Sequence, residues 1–296
     1  MLVVNQIADT AGTLFDIEEE ICVQHTDGRE RNFKILRARQ RANGTPLPPE
    51  RQQSVVLKIP NLSSKEADLI ALSFRHELEL LCNLKRQEHI VECYGHGTLA
   101  HDQRTPYLVL RYVDGQTLKE ILQSTTFSCY QMLGIVQQVT LALHSLHQFG
   151  IFHCDIKPSN VMLDYHAQKV VLIDFGSART PEHTSSLGRA RTPMYMAPEQ
   201  DNGICDATTD LYALALVMYE MLTGQPIYDD AEWERLKHSS DLAVLSEKLA
   251  QNLSAVAPQH ARGLADVLAG CLLWQQGQRR YRQAHSLFQA LLDAFV

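Results

Sequence analysis

Residues 209–222, TDLYALALVMYEML, are apolar on every face of an α-helix. A soluble protein can hold such a helix only where other elements surround it on all sides. Its uncharged run, residues 211–219, has roughly half the length of a membrane-spanning helix. The segment therefore predicts a helical domain with this helix at its centre. Gly224 is the residue at which the helix is expected to end.

The chain divides into a β-rich first part and a helical second part. Short runs of branched and aromatic residues predict strands at 21–24, 33–38, 55–59, 90–94 and 107–112, with one helix at 64–86. After Val113 the hydrophobic period becomes helical, at 118–122 and 130–149, with two short strands at 161–163 and 170–173. We expect one α+β domain with a β-rich lobe over residues 14–113 and a larger, mainly helical lobe over residues 114–296.

The composition is typical of a soluble cytoplasmic protein. The 296 residues are 45% apolar, and the net charge of −7 disfavours binding to nucleic acid or to an anionic membrane surface. The N-terminal residues lack the basic and apolar regions of a secretory signal. Seven scattered cysteines without CxxC pairs favour a reducing compartment, no structural metal and no disulfide framework. Delivery into another cell by a dedicated secretion machine stays open.

The strongest chemical signal is HCDIKPSN, residues 153–160, between a predicted helix and a predicted strand. The Asp155 carboxylate can orient a hydroxyl group, the Lys157 ammonium can neutralise phosphate charge, and the Asn160 amide oxygen can bind a metal. Phosphoryl transfer needs these groups because its catalysis consists mostly of positioning and charge neutralisation.

A second carboxylate follows a predicted strand a short distance along the chain. Asp174 begins an Asp-Phe-Gly sequence fourteen residues after Asn160. Carboxylate and amide oxygens suit Mg²⁺, which keeps waters and phosphate oxygens in the rest of its coordination shell. The pair predicts a Mg²⁺ site, with Mn²⁺ as the alternative ion.

These motifs together resemble the signature set of the protein kinases, from about residue 14 onward, and are similar to bacterial Hanks-type serine/threonine kinases. The resemblance implies a bilobal kinase fold, ATP as phosphoryl donor and protein hydroxyl groups as acceptors. It makes Asp155 the catalytic base, Lys157 the catalytic-loop lysine, and Asn160 and Asp174 the metal ligands.

The resemblance also covers positions outside these loops. VVLK places Lys58 where the family binds the α- and β-phosphates, and RHELELL places Glu77 where a helix carboxylate pairs with that lysine. The structural positions of the family correspond to Glu199 in MAPE, Asp210 as the brace of the catalytic loop, and either Arg279 or Arg280 as the partner of Glu199.

Substrate and nucleotide positions follow from the same resemblance. Thr192 lies where serine/threonine members place a threonine near the catalytic aspartate and lysine, and its structural alternative is a turn cap. In the adenine-binding hinge, Leu110 corresponds to the gatekeeper, and the backbone groups of Arg111 and Val113 correspond to those that read the purine edge.

Two positions depart from the family pattern. The phosphate-binding loop, aligned with residues 28–35, retains Gly28 alone of three glycines, and Glu30 adds negative charge near a polyanion. Cys154 replaces the arginine that pairs with a phosphorylated activation loop in the family. We therefore expect activity without activation-loop phosphorylation, with Thr184, Ser185 and Ser186 as candidate phosphosites.

The sequence thus predicts a serine/threonine protein kinase that acts on protein substrates and uses ATP and Mg²⁺. A pseudokinase or scaffold is the first alternative, because of the eroded glycine loop, and a small-molecule phosphotransferase is the second. Residues 29–51 carry seven basic and two acidic residues, which fits a docking surface for an acidic regulatory partner or, as the favoured interpretation, a solvated sheet rim.

Overall fold

The structure is a computed structural model of the chain. It describes residues 6–8, 13–21, 32–42, 45–46, 54–62, 67–84, 87–101, 105–180, 193–227 and 241–295. Within these residues the chain forms two compact units, which are described in turn. The sheet unit contains the described residues up to Leu84 together with 91–113, and the helical unit contains 87–90 and the described residues from Asp114 onward.

The sheet unit is one antiparallel sheet with one helix. Its strands are β1 (Gln6–Ala8), β2 (Leu14–Glu20), β3 (Phe33–Ala42), β4 (Thr45–Pro46), β5 (Ser54–Pro60), β6 (Cys93–Thr98) and β7 (Pro106–Arg111), and its helix is α1 (Ala67–Asn83). The strand order is β1-β2-β3-β5-β7-β6, with β4 paired to β3. The helix predicted at 64–86 and the strands predicted at 33–38, 55–59 and 107–112 are thus confirmed within the described residues. The strand predicted at 90–94 begins only at Cys93, and residues 22–24 of the strand predicted at 21–24 lie outside the described residues.

The core of the sheet unit follows from alternation along its strands. Val55, Leu57 and Ile59 are buried at every second position of β5 and pack with Phe15 and Tyr107. Lys58 points from β5 to the opposite face, because successive side chains of a strand alternate between faces. The hydrophobic pattern of β5 therefore determines which face carries this lysine.

Strand β2 was not predicted, because its sequence LFDIEEE ends in three acidic residues. In the sheet the acidic residues of β2 lie beside the arginines of β3. Glu18 contacts Arg37 at 2.8 Å and Arg39 at 2.5 Å, and Asp16 contacts Arg41 at 2.5 Å. The described arginines of the basic 29–51 stretch are therefore paired within the sheet, which favours the solvated-rim interpretation over a docking surface.

The helical unit contains six α-helices within the described residues, and a small three-stranded sheet. The helices are α2 (Leu118–Leu122), α3 (Cys129–Gln148), α4 (Ala207–Thr223), α5 (Leu242–Leu253), α6 (Ala261–Leu272) and α7 (Ala284–Asp293). The strands β8 (Gly115–Thr117), β9 (Val161–Asp164) and β10 (Lys169–Leu172) pair in the order β10-β9-β8. The helices predicted at 118–122 and 130–149 and the strands predicted at 161–163 and 170–173 are confirmed.

Helix α4 is the central helix that the sequence predicts. Its side chains are buried from Thr208 to Tyr219 without interruption, and Gly224 ends it with a φ of +72°. At its other end, the Asp206 side chain accepts the Thr208 N–H as an N-cap. In the described part of the chain, none of the helices has the length and apolarity to cross a membrane.

Candidate catalytic site

In the sheet unit, Lys58 and Glu77 form a buried ion pair. The Lys58 Nζ lies 2.7 Å from both carboxylate oxygens of Glu77, which projects from α1. The ring of Phe33 lies 4.6 Å from the same Nζ and stacks on Phe74, so one aromatic face contacts the charge. The two residues that the sequence predicts as partners, nineteen positions apart, are therefore brought together.

The predicted hinge residues lie at the end of β7. Leu110 and Val113 are buried, and the Arg111 N–H donates to the Glu92 carbonyl at 2.8 Å. That bond occupies the Arg111 donor within the sheet unit. The hinge pattern expected for a purine is then the Arg111 carbonyl as acceptor and the Val113 N–H as donor.

In the helical unit, the polar side chains of the 153–160 loop converge on Asp155. The Lys157 Nζ lies 2.7 Å from Asp155 Oδ2. The Asn160 Nδ2 donates both to the Asp155 carbonyl, at 2.8 Å, and to its Oδ2, at 3.0 Å. Both side chains of the pair Asp155 and Lys157 remain partly accessible to solvent, as a group that meets a substrate must.

Asp174 is connected to this loop through the backbone. The N–H of Ile173, the residue before it, donates to the Asn160 carbonyl at 3.0 Å, and His153 Nε2 lies 3.3 Å from the Ile173 carbonyl. Phe175 is fully buried with its ring 4.9 Å from that of His153. Asp174 itself has a φ of +62°, a conformation that is uncommon for non-glycine residues and that recurs at active sites.

The oxygen atoms of Asn160 and Asp174 fit a hard divalent cation. Because Asn160 donates its amide N–H groups to Asp155, its Oδ1 is the atom that faces other partners. The described residues contain no group of three His, Cys, Asp or Glu side chains able to hold a metal. A site with only two protein ligands suits Mg²⁺, which completes its shell with water and phosphate oxygens.

The buried carboxylate of Asp210, on α4, accepts hydrogen bonds from the backbone of the 153–160 loop. It accepts the N–H of Cys154 at 2.7 Å and the N–H of His153 at 2.9 Å, and His147 Nε2 lies 2.9 Å from its Oδ2. Three partners satisfy a fully buried acid that would otherwise be costly to desolvate. His147 had not been identified in the sequence, since nothing in the helical pattern of α3 distinguishes it.

The structure answers the open choice between two adjacent arginines. Arg279 forms a buried bidentate pair with Glu199, with both N–O distances at 2.6 Å, and its Nε donates to the Leu273 carbonyl. Arg280 is instead on the surface beside Asp266.

Next to Glu199, Gln200 donates to the Cys154 carbonyl at 2.9 Å, a contact that no sequence pattern predicted.

The cysteines differ from the expectation at one pair. Cys154 and Cys205 are joined by a disulfide, whereas the described residues Cys82, Cys93, Cys129 and Cys271 are free. The expectation of a chain without disulfides is therefore wrong here. The reason is tertiary: the two positions are 51 residues apart in sequence and meet only because the catalytic loop packs on the start of α4.

Several predicted positions lie outside the described residues: Gly28 of the phosphate-binding loop, Thr192, and the candidate phosphosites Thr184, Ser185 and Ser186. Their expected roles stay predictions.

Comparison with known proteins finds a matching family and several relatives. The model of the family described as protein kinase domain matches residues 48–290. The chain is 34% identical over 210 residues to a probable serine/threonine-protein kinase PknB of Bifidobacterium longum, which covers 64% of this chain and 30% of that protein. It is 39% identical over 162 residues to the serine/threonine-protein kinase PknB of Mycobacterium leprae, covering 52% of this chain and 26% of that protein. The chain thus spans between a quarter and a third of the length of these relatives.

The fold has a close counterpart among solved structures. The crystal structure of the PknI kinase domain of Mycobacterium tuberculosis superimposes with a TM-score of 0.70, covers 99% of both chains and shares 22% of residues. At this identity the likeness concerns the fold, and it confirms the expected class: a β-sheet lobe and a helical lobe.

Proposed function

This chain belongs to the protein kinase family, of the bacterial Hanks-type serine/threonine kinases, and we propose that it transfers the γ-phosphoryl group of ATP to serine or threonine hydroxyl groups of proteins. One observation carries the proposal. The side chains of Lys157 and Asn160 both contact Asp155, and the backbone of Asn160 is bonded to the residue before Asp174. Every charged position that the chemistry requires is occupied.

In the proposed reaction, Asp155 orients the acceptor hydroxyl through its carboxylate and receives the proton. The hydroxyl oxygen forms a bond to the γ-phosphorus while the bond to the β,γ-bridging oxygen breaks, and ADP departs with that electron pair. The Lys157 ammonium contacts Oδ2 of Asp155 and brings positive charge to the transferred phosphoryl group. A divalent ion held by Asn160 and Asp174 would neutralise phosphate charge.

Nucleotide binding is assigned to the sheet unit. The Lys58 ammonium, oriented by Glu77, is proposed to bind the α- and β-phosphates, and Leu110, Arg111 and Val113 to hold the adenine. Gly28 is the one glycine left for the phosphate loop. Mg²⁺ is the proposed ion over Mn²⁺, and substitution of one ion for the other in the assay below compares them directly.

Activity is proposed not to require phosphorylation of the activation loop. Both polar backbone atoms of Cys154 are already held, by Asp210 and by Gln200, without a phosphate–arginine pair. Phosphatase-treated protein, and a variant with alanine at 184, 185 and 186, should retain the untreated rate. A loss of more than tenfold in either would contradict this. Cys154→Arg should gain dependence on loop phosphorylation.

The alternative that a specific observation favours is a pseudokinase, because a single glycine remains in the phosphate loop. A small-molecule phosphotransferase has less support, since such enzymes generally lack the peptide-docking segment that ends in MAPE. A cytoplasmic location is part of the proposal and rests on composition. A regulatory partner protein stays a prediction, and the pairing of the β3 arginines within the sheet gives it no support.

The test is Mg²⁺-dependent transfer of labelled phosphate from ATP to the protein itself and to a basic carrier protein. Wild type should label serine or threonine, and Asp155→Ala and Asp174→Ala should abolish the label while retaining the circular dichroism of wild type. Asp201→Ala removes an exposed carboxylate from the helical unit and serves as the matched control. A folded wild type that binds ATP but transfers nothing would establish the pseudokinase instead.

A further inference from the structure

The disulfide between Cys154 and Cys205 lies at the base of the proposed catalytic loop. Cys154 immediately precedes Asp155, and Cys205 immediately precedes Asp206, the N-cap of α4. Their Cα atoms are 6.3 Å apart, within the range that a disulfide spans without backbone movement. The bond therefore joins the residue that carries the proposed base to the first turn of the central helix.

Two hydrogen bonds hold the backbone of Cys154 independently of the disulfide. Its N–H donates to Asp210 and its carbonyl accepts from Gln200. Its φ is nevertheless +60°, in the left-handed region that is unfavourable for a residue with a Cβ. A covalent bond from its side chain is a third constraint, which holds this unfavourable conformation in place.

The two sulfur atoms differ in access. Cys154 is 5% exposed, whereas Cys205 is only half-buried, so a thiol or disulfide in solution meets the Cys205 Sγ first. Two of the free cysteines are poor competitors. Burial raises the pKa of Cys93 to about 11 and that of Cys271 to about 12, so both stay protonated and unreactive near neutral pH.

The compartment predicted for the protein adds a further argument. Disulfides in reducing compartments are usually transient and regulatory, whereas those of secreted proteins are permanent. The composition of this chain predicts a reducing compartment, and a large apolar core is present without the disulfide. A domain of this size does not need a disulfide to fold, so a bond placed beside the proposed base is suited to regulation.

We propose that Cys154 and Cys205 form a reversible thiol–disulfide switch, in which the disulfide fixes the catalytic loop in its active geometry and reduction lowers the rate of phosphoryl transfer. The switch rests on the proposed kinase function. It takes the place that a phosphate–arginine pair has in kinases with arginine before the catalytic aspartate, so oxidation replaces loop phosphorylation as the ordering event.

The chemistry balances with a low-molecular-weight disulfide such as oxidised glutathione as the oxidant. The Cys205 thiolate attacks one glutathione sulfur, forms a mixed disulfide and releases one glutathione. The Cys154 thiolate then attacks Cys205 Sγ and releases the second. The two protein thiols lose two protons and two electrons, and one oxidised glutathione becomes two reduced glutathiones.

The experiment equilibrates the full chain in buffers of stepped reduced-to-oxidised glutathione ratio. One portion is quenched with acid, alkylated and digested, and mass spectrometry measures the fraction of the peptide pair that contains linked Cys154 and Cys205. A second portion is assayed for kcat and for the KM of ATP with the basic carrier protein. A third is measured by hydrogen exchange over residues 151–160.

The linked fraction, kcat and protection of residues 151–160 should rise together, with one midpoint. The reduced enzyme should show a kcat about tenfold lower and a KM for ATP within twofold, because the nucleotide positions of the sheet unit are not involved. Cys205→Ser should have the reduced kcat at every ratio. Cys129→Ser, which removes a half-buried free thiol, should respond as wild type does.

Three results would overturn the switch. The linked peptide could be absent at every ratio, it could form while kcat and protection stay constant, or Cys205→Ser could respond as wild type does. Failure of the kinase proposal gives a different pattern: no transfer at any ratio from an enzyme whose linked peptide still forms. In that event the protection of residues 151–160 decides whether the disulfide holds the loop.

Discussion

Each unit of the molecule contains a buried ion pair, and the two pairs are built differently. In the sheet unit, the Lys58 ammonium contacts both oxygens of Glu77 beside an aromatic ring. In the helical unit, the Arg279 guanidinium binds Glu199 in a bidentate manner. The surroundings complete the second pair: the Thr209 hydroxyl donates to Glu199, and Arg279 donates to the carbonyls of Leu273 and Thr208.

The difference indicates different roles. A guanidinium with several fixed acceptors is held in one geometry, as suits a structural link between the MAPE segment and the segment that follows α6. An ammonium on a flexible stem is a compact charge that can bind another anion, as suits a lysine that is proposed to bind phosphates. Buried pairs are weak evidence for stability in themselves, because desolvation offsets much of the attraction. The comparison is therefore best tested by substitution.

The largest expected effect is on stability in the helical unit. Arg279→Met leaves Glu199 buried without its countercharge and should lower the free energy of unfolding by about 3–5 kcal/mol. Urea denaturation followed by circular dichroism measures it. Arg280→Met is the matched control, because the neighbouring arginine is exposed and should cost no more than about 1 kcal/mol. Equal losses for the two variants would contradict the structural role of the buried pair.

The next effect is on activity and concerns the sheet unit. Lys58→Met should reduce phosphoryl transfer about 10²–10³-fold, the usual cost of removing one fixed charge from a transition state. Initial rates with Mg²⁺-ATP, per mole of folded protein, measure it. Arg39→Met removes an exposed positive charge from the neighbouring strand β3, outside the stretch aligned with the phosphate-binding loop, and should leave the rate unchanged. A Lys58→Met rate within threefold of wild type would refute the assignment of this lysine to phosphate binding.

These contrasts also show what sequence reasoning could and could not reach. Lys58 and Glu77 were predicted as partners because a strand motif and a helix motif each placed one of them. The contact between Glu199 and an arginine was expected as well, but Arg279 and Arg280 are adjacent and chemically identical. Only the packing of the loop after α6 buries one and exposes the other.

Other features depend entirely on tertiary contacts. Strand β2 has no clear alternation, and its acids become compatible with a strand only through the arginines of β3. The Cys154–Cys205 bond and the Gln200 contact join positions 51 and 46 residues apart, respectively. The buried helix α4, in contrast, was predictable, because fourteen residues without a polar face have only one environment available in a soluble protein.

Replacing both members of each pair sharpens the comparison. The double variant Lys58→Met with Glu77→Leu should have a free energy of unfolding within about 1 kcal/mol of wild type, because the desolvation penalties of both charges disappear together. The double variant Glu199→Leu with Arg279→Met should have a free energy of unfolding about 2 kcal/mol below that of wild type, since the carbonyls of Leu273 and Thr208 lose their donor. Urea denaturation of the two double variants provides the measurement. Similar stability for both would mean that the surroundings of the Arg279 pair add nothing.

The smallest expected effect is at the surface of the sheet unit, where Glu18 contacts Arg37 and Arg39. These pairs are partly solvated, so Glu18→Gln should lower the free energy of unfolding by no more than about 1 kcal/mol. The loss should shrink further in 1 M salt, because the Debye length falls to ~3 Å. Denaturation at low and high salt, with Arg279→Met in parallel, tests this. The stability loss of Arg279→Met should persist in salt, since a buried charge is screened much less. A Glu18→Gln loss that is as large as that of Arg279→Met and does not change with salt would contradict the distinction between buried and surface pairs.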